Sequence, residues 1–317
     1  MGKNMTKYCF GIDLGGTTIQ LGLFDEHGKC ILKNELPTRK ELQGKFILDD
    51  IATQIEAMLF ETKLSKDEII GVGIGVPGPV VKEAVVLNCV NIGWGTFDVA
   101  AELSHKCGLK VKVANDANVA ALGELWCGSA KDYNDAVMIT LGTGVGGGII
   151  KDGRIVEGAD AAAGEIGHMQ IVYGMKERCT CGNRGCLEQV ASATGIVKLA
   201  KEYLENSDVM SALRGISNLS AKDIFDKAKE NDKLACSIVK EVLEYLATAM
   251  ANISCVINPQ IFVIGGGMSK AGDYLIDILQ KYYEDKAFLP AKTTKIVLAK
   301  LGSEAGMYGA ARLVMTV

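Results

Sequence analysis

Apolar runs that end in glycine recur along the chain and set its architecture. The first runs Tyr8-Cys9-Phe10-Gly11-Ile12-Asp13-Leu14 into Gly15-Gly16-Thr17-Thr18. It continues as a second apolar stretch, Ile19 to Phe24, and closes at the polar turn Asp25-Glu26-His27-Gly28. The second runs Ala136 to Leu141 into Gly142-Thr143-Gly144, continues through Gly146-Gly147-Gly148-Ile149-Ile150 and closes at Lys151-Asp152-Gly153. Paired apolar runs around a glycine turn predict β-hairpins. Ile12-Asp13-Leu14-Gly15-Gly16-Thr17 overlays Ile139-Thr140-Leu141-Gly142-Thr143-Gly144. The same hairpin in both halves predicts an internal duplication, two lobes built on related sheets. A third run, Ile261 to Ile264, reads as a buried strand ending in Gly265-Gly266-Gly267.

Elsewhere the apolar spacing is helical. Ile47, Ile51, Ile55, Met58 and Leu59 mark one amphipathic helix, followed by a strand over Ile70 to Val76. Leu234, Ile238, Val242, Leu246, Ala249, Ile253 and Val256 mark a longer one, which Asn258-Pro259 stops. A helix opening near Asn118 presents Val119, Leu122 and Trp126, and Glu304 to Met315 is rich in the small residues a closely packed helix requires. Strands and helices alternate, so the class is α/β. The lobe boundary is expected near Asn115-Asp116: residues 1–115 form a smaller lobe, completed by a helix within 303–317, and residues 116–302 a larger one.

Composition narrows the partners. At 317 residues, 48% hydrophobic and 23% charged, the chain has the profile of a folded protein of two domains or one large two-lobed unit. A net charge of −4 without a Lys/Arg stripe argues against nucleic acid. Met1 to Tyr8 is polar, and no apolar run approaches the ~20 residues that span a bilayer, so a cytoplasmic protein without a membrane partner is expected. Of ten cysteines, seven are scattered singly; Cys179, Cys181 and Cys186 crowd together, which in such a chain points to metal rather than disulfide.

Phosphate oxygens need backbone N–H donors at close range, and glycine permits that approach. Gly15-Gly16-Thr17 and Gly142-Thr143-Gly144 offer it twice, with threonine hydroxyls alongside, and Gly265-Gly266 offers backbone for a purine. Each run alone is equally a tight turn; three together point to a nucleotide triphosphate. Asp13, ending a buried-type strand, either meets Mg²⁺ beside the phosphates or caps its own turn. Asn115-Asp116-Ala117-Asn118 opens a helix; one residue suffices as the cap, and Asp116 is also placed to be a general base. His168 with Cys179, Cys181 and Cys186 makes a zinc set, the alternative being three reduced thiols in a loop. Glu165 and Glu188 flank those ligands, either solvated or forming, with the imidazole, a rack of acceptors for a polyhydroxylated ligand.

These motifs resemble the ROK family of sugar kinases and sugar-responsive repressors nearly end to end. The resemblance takes in Asp13-Leu14-Gly15-Gly16-Thr17, Gly75-Val76-Pro77-Gly78-Pro79, Asn91-Ile92-Gly93-Trp94, Asn115-Asp116-Ala117-Asn118, Gly142-Thr143-Gly144, Gly164-Glu165-Ile166-Gly167-His168, the cysteine cluster, Glu188 and Gly265-Gly266-Gly267. It implies a two-lobed actin-like, hexokinase-like ATPase (ribonuclease H-like) fold with duplicated sheet lobes and a central cleft. Asp116 is then the catalytic base acting on a sugar 6-hydroxyl. Asn115, Glu165, His168 and Glu188, with Asn91 and the Gly75 loop, contact the sugar. The two hairpins hold the phosphates and Mg²⁺ of ATP, Gly265-Gly266 the adenosine, and the Cys/His set a structural zinc. Asn91-Ile92-Gly93-Trp94 and Leu187 to Gly195 are most similar to the family's bacterial glucokinases, implying glucose as substrate. Another hexose such as N-acetylmannosamine or mannose is the alternative, and a homo-oligomer, dimer or tetramer, is the family habit. A sugar-sensing regulator would need a helix-turn-helix module ahead of the first hairpin, which starts at Tyr8.

Overall fold

The computed structural model describes residues 7–315; residues 1–6, read above as polar, and residues 316–317 of the expected C-terminal helix lie outside it. The chain divides into two compact units. One comprises the residues up to Asn134, Gly148–Ala163 and the residues from Lys300, the other Asp135–Gly147 and Gly164–Ala299.

The first unit opens with β1 (Tyr8–Leu14), β2 (Thr18–Asp25) and β3 (Cys30–Pro37), a meander on the first glycine turn. A short turn α1 (Glu41–Gly44) and α2 (Ile47–Thr62) lead to β4 (Ile69–Val76). A small ribbon follows, β5 (Val80–Val81), β6 (Val85–Val86) and β7 (Phe97–Asp98), then α3 (Val99–Cys107), β8 (Val111–Asn115) and α4 (Asp116–Trp126). The sheet order is β3-β2-β1-β4-β8, with β1, β4 and β8 parallel. β3 alternates half-buried and exposed positions as an edge strand does, whereas β1 and β4 are almost continuously buried because helices cover both faces. α2 lays Ile47, Ile51, Ile55, Met58 and Leu59 into that core, the stripe its spacing predicts. The C-terminal helix, Ala305–Met315, covers the other face at backbone distance. A β-carbon on Gly73 would overlap the Ala310 carbonyl, and one on Gly309 the Val119 carbonyl of α4.

The second unit begins with β9 (Ala136–Leu141). β10 (Val145–Lys151) carries the chain back into the first, where β11 (Arg154–Ile155) pairs with its end. After Gly164 come α5 (Leu187–Ala191), α6 (Ala193–Asn206), α7 (Ala221–Lys229), α8 (Lys233–Val256), β12 (Ile261–Gly265), α9 (Asp273–Lys286) and β13 (Lys295–Leu298). The second sheet, β11-β10-β9-β12-β13, repeats the strand plan of the first, with β9, β12 and β13 parallel. In α8 the predicted stripe is buried from Leu234 to Ile253. Val256 is 82% exposed, because it is the last helical residue before Asn258 turns the chain at φ 48°. Among the described residues no helix is long and apolar enough to cross a membrane.

Candidate active site

In the first unit, parallel strands deliver the acidic residues to one edge of the sheet. Asp13, near the end of β1, is in register with Gly75 of β4; Gly75 pairs with Ala114 and Val76 with Asn115 of β8. The carboxyl ends of parallel strands are where ligands collect in α/β proteins. Asn115 caps α4, its Oδ1 accepting from Ala117 N (2.9 Å) and Asn118 N (3.3 Å). Asp116 stands one residue further on, its Oδ1 2.8 Å from Ala117 N. Burial, and then the charge of Asp116, push the Asp13 carboxyl up to about 7. Two carboxylates share this edge, an arrangement a cation would neutralise. Asp13 also lies against Gly306 in the first turn of the C-terminal helix.

Gly75 itself is buried within β4 against Val119, and the Pro77-Gly78 turn beyond it approaches Asn115, whose Nδ2 donates to Gly78 O at 3.3 Å. Asn91 is exposed on the turn Val90–Ile92, which Cys89 anchors by donating to Pro77 O at 3.0 Å. Asn118 is buried with Oδ1 lacking a hydrogen-bond partner. The first glycine turn is braced from β3: Thr38 N donates to Thr17 O at 2.8 Å and Thr38 Oγ1 to Gly15 O at 2.7 Å. This bracing leaves the Lys40 ammonium 3.5 Å from where a β-carbon of Gly16 would be. Neither Thr38 nor Lys40 carries a motif signal; their role is visible only once β3 lies beside the turn.

In the second unit, Gly142-Thr143-Gly144 joins β9 to β10, closed by Gly142 N donating to Gly144 O at 3.0 Å. Gly265-Gly266 lies beside it, since Gly265 pairs with Thr140 and Gly266 (φ 81°) presses on the Leu141 backbone. The start of α6 holds the turn from one side: Ala193 N donates to Gly142 O and Thr194 Oγ1 to Thr143 O, both at 2.8 Å. A cavity of about 370 Å³ opens here, its wall including Thr143, Gly144, Arg178, Cys179, Glu188 and Lys198.

His168 and the three cysteines converge, with His168 Nδ1 3.6 Å from Cys179 Sγ, Cys181 Sγ 3.7 Å from Cys186 Sγ, and all four ligand atoms within 4.8 Å of one another. A tetrahedral zinc with bonds of about 2.0–2.3 Å sets its ligand atoms roughly 3.5–3.8 Å apart, so this donor set fits. Burial, and then hydrogen bonding with the Cys181 and Cys179 thiols beside it, pushes the Cys186 thiol up to about 12, and a bound cation would favour the thiolate instead. The loop is pinned by Cys179 N donating to Asn183 O (2.8 Å) and by Gln189 Oε1 accepting from Gly185 N (2.9 Å) and Cys186 N (3.2 Å). The other imidazole nitrogen, Nε2, is 3.9 Å from Glu165 Oε2, and Glu165 is exposed. One ring nitrogen thus faces the sulfurs and the other an acceptor carboxylate.

Two sheets of one strand plan, each with a glycine turn at its hairpin, define an α/β protein of the hexokinase-like sugar-kinase fold. The ROK family pattern matches residues 9–317, and the chain belongs to the ROK family. It is 40% identical over 316 residues to the glucokinase of Halalkalibacterium halodurans, covering 97% of this chain and 95% of that protein. It is 37% identical to the glucokinase of Thermotoga maritima, covering 96% of each. A solved ROK family glucokinase from Streptomyces griseus, in complex with glucose and AMPPNP, aligns with a TM-score of 0.75 at 32% identity, over 98% of this chain and 100% of that one.

Proposed function

We propose that the chain is an ATP-dependent sugar kinase that phosphorylates glucose at its 6-hydroxyl. The observation that carries this reading is the placing of Asp13 and Asp116 at one sheet edge beside the first glycine turn. Asp116 accepts the proton of the 6-hydroxyl as that oxygen bonds to the γ-phosphorus; the bond from γ-phosphorus to the bridging oxygen breaks, and ADP leaves with the electron pair. Asn115, Glu165, His168 and Glu188 hold the sugar hydroxyls, with Asn91 and the turn after Gly75 supporting. Gly15, Gly16, Thr17, Gly142, Thr143 and Gly144 present backbone and hydroxyl donors to the phosphates, and Gly265-Gly266 lies against the adenosine. Asp13 would hold Mg²⁺, which supplies neutralisation of phosphate charge. His168, Cys179, Cys181 and Cys186 would hold a zinc ion, which supplies rigidity to the loop between Glu165 and Glu188.

Reduced thiols and ATP both suit the cytoplasm, and the family habit makes a homo-oligomer the working expectation. The test is a coupled ADP-release assay with Mg-ATP over glucose, mannose, fructose, N-acetylglucosamine and N-acetylmannosamine. The highest kcat/KM is expected on glucose; a maximum on another hexose moves the substrate and keeps the base. Asp116→Asn is expected to keep sugar binding and lower kcat by ~10²–10⁴, and near-normal turnover would remove Asp116 from the mechanism.

A further inference from the structure

Glu188 touches more than a sugar contact requires. Its Oε2 accepts from Val145 N at 3.1 Å, on the β10 side of the second glycine turn, and occupies the space that a β-carbon on Gly144 would need. Its Oε1 is 3.5 Å from Thr180 Oγ1, in the cysteine loop, so only that oxygen is weakly held. Val145 in turn presses its carbonyl on Gly167, the neighbour of His168. The two hydrogen bonds from α6 hold the carbonyls of Gly142 and Thr143. The β10 side of the turn is held by the glutamate.

We propose that Glu188 is the positioning residue of the phosphate turn Gly142-Thr143-Gly144, one oxygen fixing the turn while the other is offered to the sugar. The proposal rests on the reading of that turn as a phosphate holder. Phosphate oxygens are bound by N–H groups only when these already point inward, and a turn anchored on one side alone leaves their direction unset. A carboxylate shared by the two substrate sites also makes their affinities interdependent, and such coupling is reciprocal: whatever sugar does to nucleotide affinity, nucleotide does to sugar affinity. Gly144 is glycine here for a second reason, since any side chain would push Glu188 off the turn.

The test titrates Mg-AMPPNP into the protein without sugar, by calorimetry, for wild type, Glu188→Gln, Glu188→Ala and Thr143→Val. Circular dichroism checks that each variant is folded. The glutamine carbonyl still accepts from Val145 N, so Glu188→Gln is expected to bind AMPPNP within about twofold of wild type. Glu188→Ala is expected to bind it about tenfold more weakly, the scale of one lost hydrogen bond to a charged group. Both are expected to raise the KM for sugar, because neither offers a carboxylate oxygen to a hydroxyl. Glu188→Ala with wild-type affinity for AMPPNP overturns the proposal. Equal losses in Glu188→Gln and Glu188→Ala also overturn it, because charge rather than the hydrogen bond would then be responsible. Thr143→Val is expected to weaken AMPPNP. If neither Thr143→Val nor Glu188→Ala weakens it, the phosphate reading of the turn fails and takes the proposal with it; if Thr143→Val does while Glu188→Ala does not, only the tether fails.

Discussion

Asp13 ends up half-buried beside a second carboxylate, and its acidity reverses the usual relation between pH and stability. Between about 4, where an unfolded aspartate has lost its proton, and about 7, where the folded one does, the native chain binds a proton that the unfolded chain has released. Native stability from this group is therefore intact at the acid end and declines as pH rises through that window, opposite to an ion-paired carboxylate. Thermal melts of the metal-free protein should show Tm sloping down from pH 5 to pH 7 more steeply than in Asp13→Asn. Mg-nucleotide should level the wild-type slope. Parallel curves for the two proteins would mean that Asp13 does not carry the proton. Residue by residue, the sequence exposes the groups that sit in dense motifs, such as Asp13 before its glycines. It conceals Glu124, which in Leu122-Gly123-Glu124-Leu125-Trp126 looks like an ordinary helix carboxylate. The structure buries Glu124 completely, with Oε2 accepting from Ser129 N (2.8 Å) and Lys300 N (3.1 Å) and Oε1 from Leu301 N (2.7 Å). Two of its partners are 176 and 177 positions away, and no local pattern records such a pairing.

Among the elements, the cysteine loop was the most legible, because three sulfurs and a histidine specify a donor set whatever surrounds them. Its internal hydrogen bonds were not, since Gln189 folding back on Gly185 and Cys186 depends on α5 starting at Leu187. On the proposed zinc reading, Cys181→Ser should remove one of four ligands, lower the zinc found on metal analysis, and raise the sugar KM by about tenfold or more as His168 loses its fixed orientation, the scale seen when ligand-orienting contacts are lost. Retained sugar affinity in a zinc-free variant would uncouple the loop from the sugar. The helices followed their stripes closely: α2 buries the five apolar residues that mark it, and α8 departs only at its last residue. The small residues of the C-terminal helix announced close packing without naming the partner. That Gly309 meets α4 and Ala310 meets β4 is a tertiary fact, set by strands far earlier in the chain.

At the scale of the whole molecule, ligand binding and folding are one equilibrium. A sugar that binds only the native chain should stabilise it by ~2.7 kcal/mol at a hundredfold excess over Kd, a rise in Tm of roughly 5 °C for a protein of this size. Differential scanning fluorimetry should show that rise with glucose and a smaller one with fructose; equal rises would remove the discrimination assigned to the acceptor rack. The chain plan carries a further consequence for synthesis. The first unit is assembled from the residues up to Asn134 together with those from Lys300, so a ribosome must make all of Asp135–Ala299 before the helix that roofs β1 and β4 can exist. At roughly 5–20 residues per second this leaves a greasy sheet face bare for about ten to thirty seconds. In a growing cell that interval is a standing invitation to chaperones, and synthesis speed across the middle of the message becomes a determinant of yield.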